Sequence, residues 1–128
     1  MRDPLYERTA WRVWPTIDDG LLAQIADVFQ GQHDFLAFGS APGKKTNTVR
    51  MVMGSDWKKV EDEWYYDITA DAFLYRMVRR LVYVQVAAAQ GRCSVELVTR
   101  ALRTPQLKNQ IPSGLAPAHG LNLVEVIY

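Results

Sequence analysis

Residues 72–84 read AFLYRMVRRLVYV. On a helix of about 3.6 residues per turn, Arg76, Arg79, Arg80 and Tyr83 fall at i, i+3, i+4 and i+7 and share one face. Phe73, Leu74, Met77, Val78, Leu81 and Val84 cover much of the rest. The spacing predicts a packed helix that presents a narrow cationic stripe. Thr69 or Asp71 is the expected cap, and Gly91 marks the expected end.

The flanking segments alternate. In TNTVRMVMGSDWKKV, Val49, Met51 and Met53 oppose Thr48, Arg50 and Val52; in EWYYDITAD, Trp64, Tyr66 and Ile68 oppose Tyr65, Asp67 and Thr69. The polar Glu61–Asp62–Glu63 between them predicts an antiparallel hairpin. Upstream, TAWRVWPTI reads as a short strand closed at Pro15. TIDDGLLAQIADVFQG follows as an amphipathic helix with Thr16 or Asp18 as cap and Gly31 as stop. QHDFLAFGSAPGKK has turn composition, and its Gly39–Gly43 run is expected to be a mobile loop. SVELVTRAL is a third helix capped by Ser94, and LNLVEVIY a terminal strand. The fold class expected is α+β: one domain over 1–128, an antiparallel or mixed sheet of about four strands with helices packed on one face.

At 128 residues and 48% hydrophobic, the chain holds enough apolar material for one core. No run of about 18 apolar residues predicts a membrane span, and MRDPLYERTAWRVW lacks the apolar centre of a secretory signal. Cys93 is the single cysteine, and His33 and His119 lie far apart, so no metal site is expected. A reducing cytoplasm fits that composition. The net charge of +1 hides an asymmetry. Residues 1–71 carry eight Lys/Arg against twelve Asp/Glu, whereas residues 72–124 carry seven against one. Local basic surface on a near-neutral chain suits a defined polyanion.

Signatures for a Gly-rich phosphate loop, a G-x-S-x-G elbow or an H-E-x-x-H pair are absent. Asp18–Asp19 and Glu61–Asp62–Glu63 read as capping and turn residues, and Cys93 as inert. The arginine row is more informative, because guanidinium groups stay charged and offer forked donors that match phosphate or carboxylate oxygens.

GQHDFLAF, NTVR, ITADAFLYRMVRRLV and APAHGLNLVEVIY stand in this order along the chain. From about Trp14 to Tyr128 the sequence resembles the C-terminal half of the tRNA pseudouridine synthase A family. The resemblance implies a pseudouridine-synthase-like C-terminal domain. It also implies conversion of uridine to pseudouridine in the tRNA anticodon stem-loop, with no cofactor, by a cytoplasmic homodimer. Arg79, the arginine of MVR, would be the active-site residue that meets a catalytic aspartate. RNA contacts are expected from Arg76, Arg80, Arg50, Lys44, Lys45, His33 and Phe35, with Phe38 nearby. Two departures stand out. The family's R-T-D-x-G-V-H-A segment, which carries the aspartate, is absent, so the expected partner besides tRNA is a missing N-terminal catalytic domain. Tyr83 occupies a place where the family usually has glycine. A chain inactive alone is therefore expected; the alternative is a non-catalytic RNA-binding or dimerisation module.

Overall fold

A computed structural model describes residues 5–11, 18–40, 47–61, 63–111 and 121–127. The acidic interruption turns the chain as expected: β3 (Val49–Val60) runs into β4 (Glu63–Ala70), with Val60 opposite Glu63 and Glu61 in the left-handed region at φ 56°. On β4 the alternation holds, since Tyr66, Ile68 and Ala70 are fully buried. On β3 it breaks at Met53. The register shifts between Val52 and Gly54, so Val52 and Ser55 both face the core while Met53 is left exposed. One extra residue in a strand has this effect because side chains alternate with a period of two.

Two more antiparallel strands extend the sheet beyond β4: β1 (Leu5–Trp11) beside it, then β5 (Leu121–Ile127). β1 starts four residues earlier than the TAWRVWPTI reading, and 12–17 lie outside the described residues. A fifth strand, β2 (Gly31–Asp34), pairs antiparallel with Val49–Val52 at the margin. It was not expected, because GQHD has neither alternation nor β-branched residues. The sheet order is β2-β3-β4-β1-β5. Asp67 ties the middle together from the face opposite Tyr66. It is 6% exposed, accepts from the Tyr6 hydroxyl at 2.6 Å, and lies 3.6 Å from Lys58 Nζ.

Among the described residues, three helices cover the other face. Asp18 caps α1 (Asp19–Val28) by accepting from the Leu21 N–H at 3.0 Å, and Ser94 caps α3 (Val95–Arg103) by accepting from Leu97 at the same distance. α1 ends at Phe29, and Gly31 opens β2 at φ 101° instead of closing the helix. α2 (Met77–Ala89) is buried along ten of its thirteen residues, packing Met77, Leu81 and Val82 into the cluster of Phe29, Val52 and Ile68. Neither Thr69 nor Asp71 caps it. Asp71 instead exchanges bonds with Met51: its carboxylate accepts from the Met51 N–H, and its own N–H donates to the Met51 carbonyl, both at 3.0 Å. No helix among the described residues is long and apolar enough to cross a membrane.

Two polar pairs enter the core, while the buried Gln85 Nε2 has no hydrogen-bond partner among the described residues. Gln85 is fully buried on α2, where its Oε1 accepts from Trp57 Nε1 at 2.9 Å. The Tyr66 hydroxyl and Ser55 Oγ lie 2.7 Å apart, with the Trp57 ring 5.0 Å from that of Tyr66. Burial raises the Tyr66 pKa well above the usual tyrosine value, against the opposing effect of the Ser55 hydrogen bond and the nearby Gln85 side chain. The unfolded chain therefore loses this phenolic proton first. Stability is expected to hold up to about pH 10 and to fall as pH rises beyond it. Tyr66→Phe should cost about 1–2 kcal/mol at neutral pH by orphaning Ser55, and should flatten the alkaline decline. Urea titrations at neutral and alkaline pH check both.

Candidate nucleic-acid interface

The entrance to α2 is fixed by a backbone bridge. Ser40 and Tyr75 exchange two N–H···O=C bonds of 3.1 Å. Gly39 makes this approach possible: a Cβ there would stand 2.9 Å from Leu74 Cβ and 3.1 Å from the Tyr75 carbonyl oxygen. The start of the expected mobile loop is thus held against the helix, while 41–46 lie outside the described residues. Because the bridge holds Tyr75 extended, the helix can begin only after it.

Arg76 consequently leaves the stripe. It sits before α2 in the left-handed region, at φ 64°, and its carbonyl accepts the first-turn bond from the Arg80 N–H at 3.0 Å. Its exposed guanidinium lies 4.8 Å from the centre of the Tyr75 ring. The row at i, i+3, i+4 and i+7 therefore does not form. Arg79, Arg80 and Tyr83 are the only residues of α2 that are not buried, and all three are half-buried. Burial lowers the Arg80 pKa, with the nearby Tyr83 and Cys93 opposing the shift. Burial likewise pushes the Cys93 thiol up, against Arg92 and Arg80, which agrees with its reading as inert.

The far end of α2 adds a residue that the helical wheel missed. Gly91, at φ 83°, donates to the Ala88 carbonyl at 3.0 Å, and Arg92 donates its N–H to the Ala87 carbonyl at 2.8 Å. This pair of bonds is a Schellman motif, and it turns Arg92 back along the helix. Arg92 Nη1 reaches the Tyr83 hydroxyl at 3.3 Å, its Nε donates to Gln90 Oε1 at 3.1 Å, and its guanidinium lies 5.4 Å from the Tyr83 ring centre. The sequence signal was Gly91: a glycine stop implies that the next residue folds back.

A second group lies at the sheet margin, where His33 on β2 is directly opposite Arg50 on β3. Arg50 Nη1 donates to the carbonyls of Asn47 and Val49, and His33 donates Nε2–H to the Gln30 carbonyl at 2.8 Å. Asp34 Oδ1 accepts from the Leu36 N–H and the Thr48 hydroxyl, which fixes the following turn. Phe35 is fully buried against Phe29, and Phe38 is fully buried too. The expectation that Phe35 meets RNA is therefore corrected: its ring fills the core. Lys44, Lys45 and His119 lie outside the described residues. Arg50, Arg76 and Arg92 contact only neutral groups among the described residues, so each keeps an uncompensated charge.

Residues 25–128 match the tRNA pseudouridine synthase family. The chain is 33% identical to the tRNA pseudouridine synthase A of Geobacter sp. (strain M21), over 100% of this chain and 51% of the relative. It is 34% identical to that of Staphylococcus aureus (strain Newman), over 98% and 46%, and 33% identical to that of Prochlorococcus marinus (strain MIT 9312), over 88% and 41%. The chain thus spans about half the length of these relatives.

Gly39→Ala is expected to push the α2 entrance away from the Ser40 bridge and to cost about 1–3 kcal/mol. Gly54→Ala, whose new methyl would meet nothing nearer than 3.9 Å, should stay within about 0.5 kcal/mol of the parent. Thermal melts of the two variants make the comparison.

Proposed function

Because this chain belongs to the tRNA pseudouridine synthase family, we propose that it is one half of an enzyme that converts uridine to pseudouridine in the tRNA anticodon stem-loop. The observation that carries the proposal is the solvent-reaching face of α2, which consists of Arg79, Arg80 and Tyr83 on an otherwise buried helix. A rigid support of this kind holds a reacting group where it is needed.

Arg79 is the residue proposed for the active cleft. Chemistry on a base inside a stem requires the nucleotide to leave its stack. A fixed guanidinium then orients the carboxylate that attacks or assists at the sugar–base bond, and it stabilises charge where water is scarce. No R-T-D segment occurs in these 128 residues, so the carboxylate comes from a segment outside them, and this chain alone is inactive. Arg76, Arg80, Arg50, Lys44 and Lys45 position the RNA through its phosphates, which set register without reading sequence, and His33 contacts RNA near the cleft. Residues 1–128 act as one domain of a cytoplasmic, homodimeric enzyme. Met51, Met53, Leu36 and Tyr75 are large apolar side chains left 39–61% exposed. Their exposure supports burial of some of them against the catalytic half or a second copy.

Filter binding should show weak association of the chain with tRNA that falls steeply with salt. Changing Arg76, Arg79 and Arg80 together to Ala should reduce it further. Pseudouridine formation should be absent for the chain alone and should appear when the aspartate-bearing half is supplied. Arg79→Ala should then abolish turnover while leaving most of the binding intact. Binding indifferent to both salt and the triple change would remove RNA from the account.

A further inference from the structure

Tyr83 and Arg92 add a built position to the cationic face of α2, and we infer that Arg92, aimed by Tyr83, is a phosphodiester contact for RNA. The inference rests on the tRNA reading above and adds residues which that reading does not use. Arg92 is the residue two positions past the last-turn cap of α2, and its backbone is fixed by the bonds to Ala87 and Ala88 that Gly91 permits. Its side chain does not lie along the terminal carbonyls, as a cation that merely complements a helix C-terminus would. It runs back to Tyr83, about 10 Å of helix before the Gln90 cap, and its side-chain bonds are to side-chain oxygens only.

Those bonds use the Nε–H and an Nη1–H, so the Nη2 edge carries no bond among the described residues. Glu96, the acid nearest in sequence, makes no ion pair with it among the described residues. The Tyr83 ring lies beside the guanidinium and the hydroxyl holds one nitrogen, which restricts a side chain that would otherwise lose about 2 kcal/mol of rotamer entropy on binding. The remaining Nη2–H and Nη1–H donors, pre-aimed by neutral partners beside Tyr83, itself one turn from Arg79 and Arg80, suit the oxygens of an anion. Phosphodiesters of a polynucleotide supply such anions in series. Tyr83 is a positioning residue: it acts through Arg92.

The test is filter binding of tRNA by the 128-residue chain across a salt series. Arg92→Ala should lower affinity about five- to tenfold near 0.1 M salt and reduce the slope of log K against log[salt] by about one. Tyr83→Ala should give the same slope change, the double variant no more than either single one, and Tyr83→Phe most of the parent affinity, because the ring–cation contact survives. Should Tyr83→Ala fail to fold by circular dichroism, Arg92→Ala, at an exposed side chain, decides the matter. Parent-like affinity and slope for Arg92→Ala, in a chain whose binding still falls on loss of Arg79 and Arg80, would overturn this inference and leave the functional reading standing. Absence of any tRNA binding by the parent chain overturns both.

Discussion

The rest of the structure depends on the near-complete burial of α2. With ten of thirteen residues packed away, this helix has no freedom to rotate or slide without dragging apolar side chains into water, at a cost of about 25 cal/mol per Å² exposed. The backbone at Arg79, Arg80 and Tyr83 is therefore fixed by the buried residues of the same helix. Both ends are fastened as well: the Ser40–Tyr75 bridge sets where the helix starts, and the Schellman motif at Gly91 sets how the chain leaves. The cations gain precision from their supports rather than from one another.

Polar groups inside the sheet follow the same logic at two depths. On the helix side, Trp57 is paired with Gln85 and Tyr66 with Ser55, so amide and phenol groups enter the core in partnership. On the opposite side, Asp67 gathers Tyr6 from β1 and Lys58 from β3 onto β4. Specific bonds of this kind favour one register over its neighbours, a task that a purely apolar sheet performs poorly.

Much of this was legible in the sequence. The hairpin, the caps at Asp18 and Ser94, and the apolar side of β4 each rest on local signals: alternation, acidic turn residues, and hydroxyl or carboxylate groups before a helix. Several of the misreadings have another cause, a contact made outside the local segment being read. Tyr75 is extended because Ser40 pairs with it, β2 is a strand because Val49–Val52 offer it bonds, and Arg92 belongs to the α2 face because a glycine turns it back onto Tyr83. The wheel that put Arg76 beside Arg79 assumed a continuous helix, which the bridge prevents. Phe35 was misjudged because an aromatic beside a histidine reads equally well as contact or core. Arg79 is named by the resemblance in wording, and its role is a proposal.

The shortness of β2 has a consequence for the margin of the sheet. It pairs with β3 only from Val49 to Val52, so among the described residues no strand takes up the outward N–H and C=O groups of the later part of β3. A stretch of open ladder this long invites an extended segment from another chain to add on. Asp56, Lys58 and Lys59 are exposed along that stretch, and like charges brought face to face in a stacked copy would repel. The bulge at Met53 also twists the margin away from the flat geometry such stacking needs. Charged side chains and a bulge along a strand edge are features that disfavour edge-to-edge addition of a second chain.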